Sequence, residues 1–297
     1  MAATRTIIGF GAGGALGQAL AIIVQKHPEI RYVPLSRKDA DITDRRKVDN
    51  AIRKYEAQVV INCAAYTDVD GCENDTLLAS AVNDEGAKNV AEACRAANIL
   101  IVHVSTDFVF DGASPRPYLE NDEPNPISVY GATKLAGERH VRMETSSKHL
   151  IVRTGWTFGP GKDNFITKVL KRARSDGKLD IIRHQTGSPT YTLDLARGII
   201  LLLFGGAHGV YHVVNSGSCS RMELAQAALT HAGLDSVTVN PVESVQAPEG
   251  RQIARRPAFS VLDTTAFTAK TGIVLPGWDA ALAEYLDSLG DGLERSA

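Results

Sequence analysis

Short apolar runs recur along the first half of the chain at Thr6–Phe10, Tyr32–Leu35, Val59–Ile61, Ile99–Val104 and His149–Arg153, and each predicts a strand. Between them the apolar positions switch to helical spacing. Leu16, Leu20, Ile23 and Val24 place one face of a helix over Gly14–Val24. Asp44 is placed to cap a helix reaching Tyr55, with Val48 and Ile52 inward. A long helical pattern covers Leu77–Ala97. Prolines at 115, 117, 124 and 126 make Asp107–Pro126 a loop, and a helix carrying Tyr130 and Lys134 follows it. The unbroken apolar character of Ile99–Val104 suits a strand covered on both faces. Pro34 moves its strand toward an edge, because proline cannot donate to a neighbour. Strand and helix in alternation predict an α/β fold with a doubly wound parallel sheet and right-handed crossovers.

After Thr154 the rhythm loosens. Asn164–Arg174, Leu193–Phe204, Arg221–Ala232 and Asp279–Leu289 read as helices, and Val210–Val214 as a strand. This half predicts a small carboxy-terminal α+β lobe over the ligand edge of the sheet. The expected division is residues 1–153 and 154–297, with some later segments returning to the first unit. The tail from about Gly290 is expected to fray.

Composition narrows the function classes. A chain of 297 residues is long enough for a large core, and its formal charge of −2 offers no attraction to nucleic acid or an anionic membrane. The four cysteines have neither CxxC pairing nor metal spacing, and Cys63 and Cys94 sit in apolar runs as small buried side chains. No apolar stretch approaches the roughly 18 residues that span a bilayer. The amino terminus has no leader-like apolar region. A reducing cytoplasm is the expected location.

The first strand runs into Gly11-Ala12-Gly13-Gly14-Ala15-Leu16-Gly17. Glycines at 11, 14 and 17 form G-x-x-G-x-x-G at the start of a helix. Such a loop makes the tight turn, admits a pyrophosphate against the backbone and holds it with free amides at the helix start. A glycine loop alone is weak evidence, but after the first strand of an alternating chain it predicts a Rossmann-type dinucleotide site. The second strand ends in Ser36-Arg37-Lys38 rather than an acid, which suits a 2′-phosphate and points to NADP. Asp39 and Asp41 keep NAD open, although Asp41-Ile42 are better placed to flank the adenine.

Tyr130 and Lys134 lie four residues apart, so they share one helix face. A nearby ammonium is expected to lower the tyrosine pKa from about 10, and a phenol so tuned hands a proton to a carbonyl oxygen as hydride reaches its carbon. The motif alone arises often by chance. Here it follows a dinucleotide loop and lies one loop beyond Ser105-Thr106, at the carboxyl end of a strand, where ligands of open α/β sheets bind. Thr106 is placed to hydrogen-bond the tyrosine or the substrate oxygen, and Lys134 to bind the nicotinamide ribose.

Together these landmarks resemble the extended short-chain dehydrogenases, and among them the dTDP-4-dehydrorhamnose reductases. The resemblance rests on Gly11–Gly17, Asp41–Asp44, Val60–Thr67 and the stretch Val104–Gly112. It continues through Tyr130–Glu138, Arg153–Trp156, Gly187–Thr190 and Arg255–Pro257, with Leu262-Asp263 last. It implies NADPH-linked reduction of the 4-keto group of a dTDP-6-deoxysugar. On that resemblance Tyr130 is the proton donor, assisted by Thr106 and Lys134. Ala64, Ala65, Tyr66 and Ser105 line the cofactor, and Thr106, Asp107 and Trp156 touch the sugar nucleotide, Trp156 through an apolar ring face.

The chain departs from the family pattern at Phe108, where tyrosine is usual, at Gly155, where serine is usual, and at Thr157-Phe158, where Val-Tyr is usual. Some relatives hold Mg²⁺ on surface acids. The first helix here offers Gln18 and Ala19 instead, so no metal is expected, while a homodimer stays open. Two other readings share the fold. One is an epimerase that returns its hydride. The other is a non-catalytic regulatory subunit like the methionine adenosyltransferase beta subunit, which has no need of Thr106, Tyr130 and Lys134.

Overall fold

The computed structural model describes residues 4–244 and 249–290; the expectation for the tail beyond Gly290 lies outside the described residues. Strands β1 (Arg5–Phe10), β2 (Ile30–Leu35), β3 (Val59–Asn62), β4 (Leu100–Thr106), β5 (His149–Thr154) and β6 (Gly209–His212) form one sheet in the order β6-β5-β4-β3-β1-β2. Every pairing in it is parallel. β2 is an edge strand, as Pro34 requires.

Helices cover both faces. Helices α1 (Ala15–Ile23), α2 (Arg45–Tyr55), α3 (Gly86–Ala97), α4 (Val129–Thr145), α5 (Phe165–Asp176), α6 (Thr192–Phe204), α7 (Arg221–His231) and α8 (Trp278–Leu289) are the longer ones. Successive strand residues point to opposite faces, so Ile7, Ile61 and Val102 join one core with Leu20 and Ile199, whereas Ile8, Val60 and Ile101 join another with Val48 and Val90. Two-sided burial explains why these strands read as unbroken apolar runs. The Asp44 carboxylate caps α2 by accepting from the amides of Arg46 and Lys47, a device worth about 1 kcal/mol.

Periodicity misread one helix. The pattern over Leu77–Ala97 is a short helix at Thr76–Ser80, a π-helical turn at Ala81–Glu85, and then α3. The widened turn holds Asn83, which is 1% exposed. Its side chain accepts from the Tyr66 amide at 2.8 Å and donates to the Tyr66 carbonyl at 3.1 Å. A hydrogen-bonded anchor for the loop after β3 thus takes precedence over regular helix.

The later residues build a third core around Phe158, Leu170, Leu224 and Tyr285. The sequence pattern missed its parallel strand pair, Lys178–Ile182 with Thr238–Val242. β6 and α6 return to the large sheet. Among the described residues no helix is long and apolar enough to cross a membrane, and all four cysteines are free.

Candidate active site

The chain order reverses between β1 and β3, which lie side by side with β2 sent one way and β4 the other. Ligands of open α/β sheets bind at such a point, outside the carboxyl ends of the strands. A cleft of about 1230 Å³ opens there, and every residue that the sequence proposed for catalysis, cofactor or substrate lines it.

At the coenzyme end Gly11 has a φ of 81°, in the left-handed region, and a Cβ on it would fall 2.6 Å from the Ala64 nitrogen. Gly17 is equally tight, with a Cβ 2.5 Å from the Gly11 carbonyl oxygen. No side chain caps α1, whose N-cap is Gly14, so its first amides remain available to an anion beside Ala15, Leu16 and Gly17. At the end of β2 the Asp39 carboxylate accepts from the Ser36 amide and hydroxyl. Asp41 accepts from Arg37 at 2.9 Å and from Thr43. Neither carboxylate is left to grip a ribose 2′-hydroxyl, while Arg37 remains mostly exposed at the cleft rim. Ile42 is buried beneath it. This donor set fits a dinucleotide carrying a 2′-phosphate.

Ala64, Ala65 and Tyr66 form the facing wall. The Ala64 amide donates to Asn62, and Tyr66 is held by Asn83. Asn83 was not legible as a site residue; a polar side chain inside an apolar helical face was its one signal.

Tyr130 lies in the first turn of α4. Ser128 caps that helix by accepting from the Gly131 amide, and Glu73 accepts from the Val129 amide at 2.8 Å. Gly131 lets the helix touch the turn after β4, since a Cβ there would fall 2.1 Å from the Phe108 carbonyl oxygen. That close approach brings Tyr130 to the stretch of cleft lined by Thr106, whose own hydroxyl proton goes to Asp107 at 3.1 Å. The middle of the helix is tied to β5 by a buried bidentate ion pair, Arg153 to Glu138 at 2.9 and 2.8 Å.

The expected acidification of Tyr130 is not found. Burial raises the phenol pKa above its ordinary value, and the Asp107 charge adds to the rise against the lowering influence of the Thr106 hydroxyl. Lys134 is 2% exposed and turns its ammonium to the Val104 carbonyl at 2.7 Å, with His103 Nε2 at 3.5 Å. Burial pushes its pKa down to about 8, against the opposing charge of Glu138. Burial also keeps His103 neutral, helped by the Lys134 charge. Desolvation therefore outweighs the i,i+4 charge effect.

Asp107 is 2% exposed, and burial pushes its carboxyl up to about 6 against the hydrogen bond from Thr106 and the lowering influence of the Ser260 hydroxyl. Its Oδ2 has no partner. Ser105 reaches the cleft wall but is 3% exposed, with its hydroxyl beside Glu138. Trp156 has a φ of 47°, a left-handed conformation that a bulky side chain adopts only when its surroundings hold it. Its indole packs on Gly187, where a Cβ would fall 2.4 Å from Cε2. Trp156 lines the cleft, and the Arg221 guanidinium lies over its ring, 3.5 Å from the centroid.

Residues 5–290 match the family described as RmlD substrate binding domain. The dTDP-4-dehydrorhamnose reductase of Mycobacterium tuberculosis is 40% identical over 284 residues, covering 93% of this chain and 90% of that protein. The dTDP-4-keto-6-deoxy-D-glucose reductase of Streptomyces niveus is 36% identical over 274 residues, covering 92% and 94%. The crystal structure of dTDP-4-dehydrorhamnose reductase from Bacillus anthracis in complex with NADP superimposes with a TM-score of 0.88 at 34% identity, covering 96% of this chain and 99% of that one. Sequence and fold agree over nearly the whole length, and the chain belongs to the RmlD substrate binding domain family, alongside the dTDP-4-dehydrorhamnose reductases.

Proposed function

We propose that this protein reduces the 4-keto group of a nucleoside-diphosphate 6-deoxysugar with NADPH, as a dTDP-4-dehydrorhamnose reductase does. The observation that carries the reading is the meeting of Tyr130, Thr106 and Lys134 in one cleft with the uncapped glycine loop. A bound nicotinamide supplies the hydride. Tyr130 supplies the proton. Its raised pKa keeps the phenol protonated at neutral pH, the state a proton donor to a ketone needs. The Thr106 hydroxyl orients that proton. Lys134, one turn further along the same helix face, carries the charge that offsets a developing phenolate. Asp107 accepts hydrogen bonds from sugar hydroxyls through its unpartnered oxygen. The carbonyl carbon thus gains hydride, its oxygen gains the Tyr130 proton, and an alcohol results. In this reading residues 1–153 carry the coenzyme side and much of 154–297 the sugar-nucleotide side.

NADPH oxidation with dTDP-4-keto-6-deoxyglucose or its 3,5-epimer, dTDP-4-dehydrorhamnose, tests the reading. One NADPH consumed per alcohol formed is the expected result. Interconversion of sugars without net oxidation marks an epimerase. Tight NADPH binding with no turnover on either sugar marks a regulatory subunit.

A further inference from the structure

At the lobe end of the cleft stands a cation that neither the coenzyme site nor the proton-transfer group uses. Arg221 opens α7, whose N-cap Ser220 exchanges hydrogen bonds with Glu223. Its guanidinium touches two aromatic rings, 3.5 Å from the Trp156 centroid and 4.7 Å from that of Phe165. Stacking engages the flat face of a guanidinium and leaves the in-plane N–H fork free for a planar or tetrahedral anion. Among the described residues that fork has no hydrogen bond and no ion pair; Asp107 acts on it only through space. The neighbouring charges are differently committed. Arg256 is held by Asp70 at 2.8 Å, and Asp163 by Lys171 at 2.8 Å. Lys162 and Lys168 are exposed on the same rim.

The position of this free fork has chemical meaning. Tyr130 and Thr106 line the same stretch of the cleft, Thr106 donates to Asp107 at 3.1 Å, Gly155 packs against the Asp107 carboxyl, and its neighbour Trp156 carries Arg221. In a 4-ketosugar the reacting carbon and the anomeric carbon lie across the ring from each other, and the anomeric oxygen carries the β-phosphate. A sugar whose C4 meets Tyr130 and whose hydroxyls meet Asp107 therefore directs its phosphate beyond Asp107. We propose that Arg221 is a specificity-determining residue that clamps the β-phosphate of the nucleoside-diphosphate sugar, with Trp156 and Phe165 holding its fork in position. The inference rests on the reductase reading for which carbon reacts, but it concerns binding and is tested by binding.

Calorimetric titration with dTDP, dTMP and NADPH separates the two. Arg221→Gln is expected to weaken dTDP about ten- to a hundredfold, with much smaller loss for dTMP and none for NADPH. Arg221→Lys, a point charge without a fork, is expected to recover only part of the dTDP affinity. Unchanged dTDP affinity in Arg221→Gln overturns the assignment, as does equal loss for dTDP and dTMP, or for dTDP and NADPH, which would mark a collapsed lobe. Failure of the unaltered protein to bind dTDP overturns it too. A protein that binds dTDP through Arg221 yet reduces no ketosugar would sink the reductase reading alone.

Discussion

Gly155 lies so close to Asp107 that a Cβ on it would fall 2.7 Å from the carboxyl carbon and 2.8 Å from Oδ2. Glycine at 155 thus leaves the buried carboxylate its space. Gly155→Ser should displace Asp107, cost about 1–3 kcal/mol by overpacking, and raise KM for the sugar nucleotide while leaving KM for NADPH unchanged. Steady-state kinetics and thermal denaturation check both halves. Unaltered sugar-nucleotide KM would mean that Asp107 accommodates the serine.

Asp107 also makes the fold sensitive to pH. Its folded pKa of about 6 stands above the 3.8 of an exposed aspartate. Between those values the folded protein holds a proton that the unfolded chain has released, so stability falls as pH rises through that window. Asp107→Asn removes the buried charge. It should stabilise the protein by on the order of 2–3 kcal/mol near pH 8 and by little near pH 4. It should also weaken the sugar nucleotide. Urea unfolding at both pH values reads the difference; equal gains would contradict a titrating carboxyl.

Tyr130→Phe keeps the ring and removes the proton. Turnover should fall about 10²–10⁴-fold, with NADPH affinity nearly intact by fluorescence titration. A rate close to that of the unaltered protein would remove Tyr130 from the chemistry.

Lys134 is expected to set the alkaline limit of activity. Its folded pKa of about 8 lies below the 10.5 of an exposed lysine. The unfolded chain binds the extra proton in that interval, so stability rises with pH there. Activity runs the other way. The ammonium that offsets the phenolate is lost above about pH 8, and kcat should decline on that limb. A kcat profile flat from about pH 7 to 10 would show that the ammonium is not required.

Arg37 should decide between coenzymes. Arg37→Asp is expected to weaken NADPH about ten- to a hundredfold relative to NADH, because Arg37 and Asp41 form an exposed pair in which the arginine is the more accessible member. Parallel kinetics with both coenzymes reveal the shift, and equal loss of both would mean local damage.

Much of this protein was legible in order along the chain. The alternation of strand and helix, the edge position enforced by Pro34, and the glycine turn at Gly11 follow from contacts between near neighbours, which periodicity and backbone sterics record directly. The positions of Thr106 and Tyr130 at the rim followed as well, because strand ends in such sheets face the ligand.

The protonation states and the lobe were decided elsewhere. Tyr130 and Lys134 at helical spacing predicted an acidified phenol, yet burial raised one pKa and lowered the other. Desolvation sums over every residue packed around a group, and most of those are remote in sequence. Asn83 interrupts a regular helix because the loop at Tyr66 needs its amide. Arg221 meets Trp156 only because α7 is folded back over the cleft. Local pattern records which hydrogen bonds a segment makes with itself; which charges and rings share a low-dielectric space is set by the packed whole.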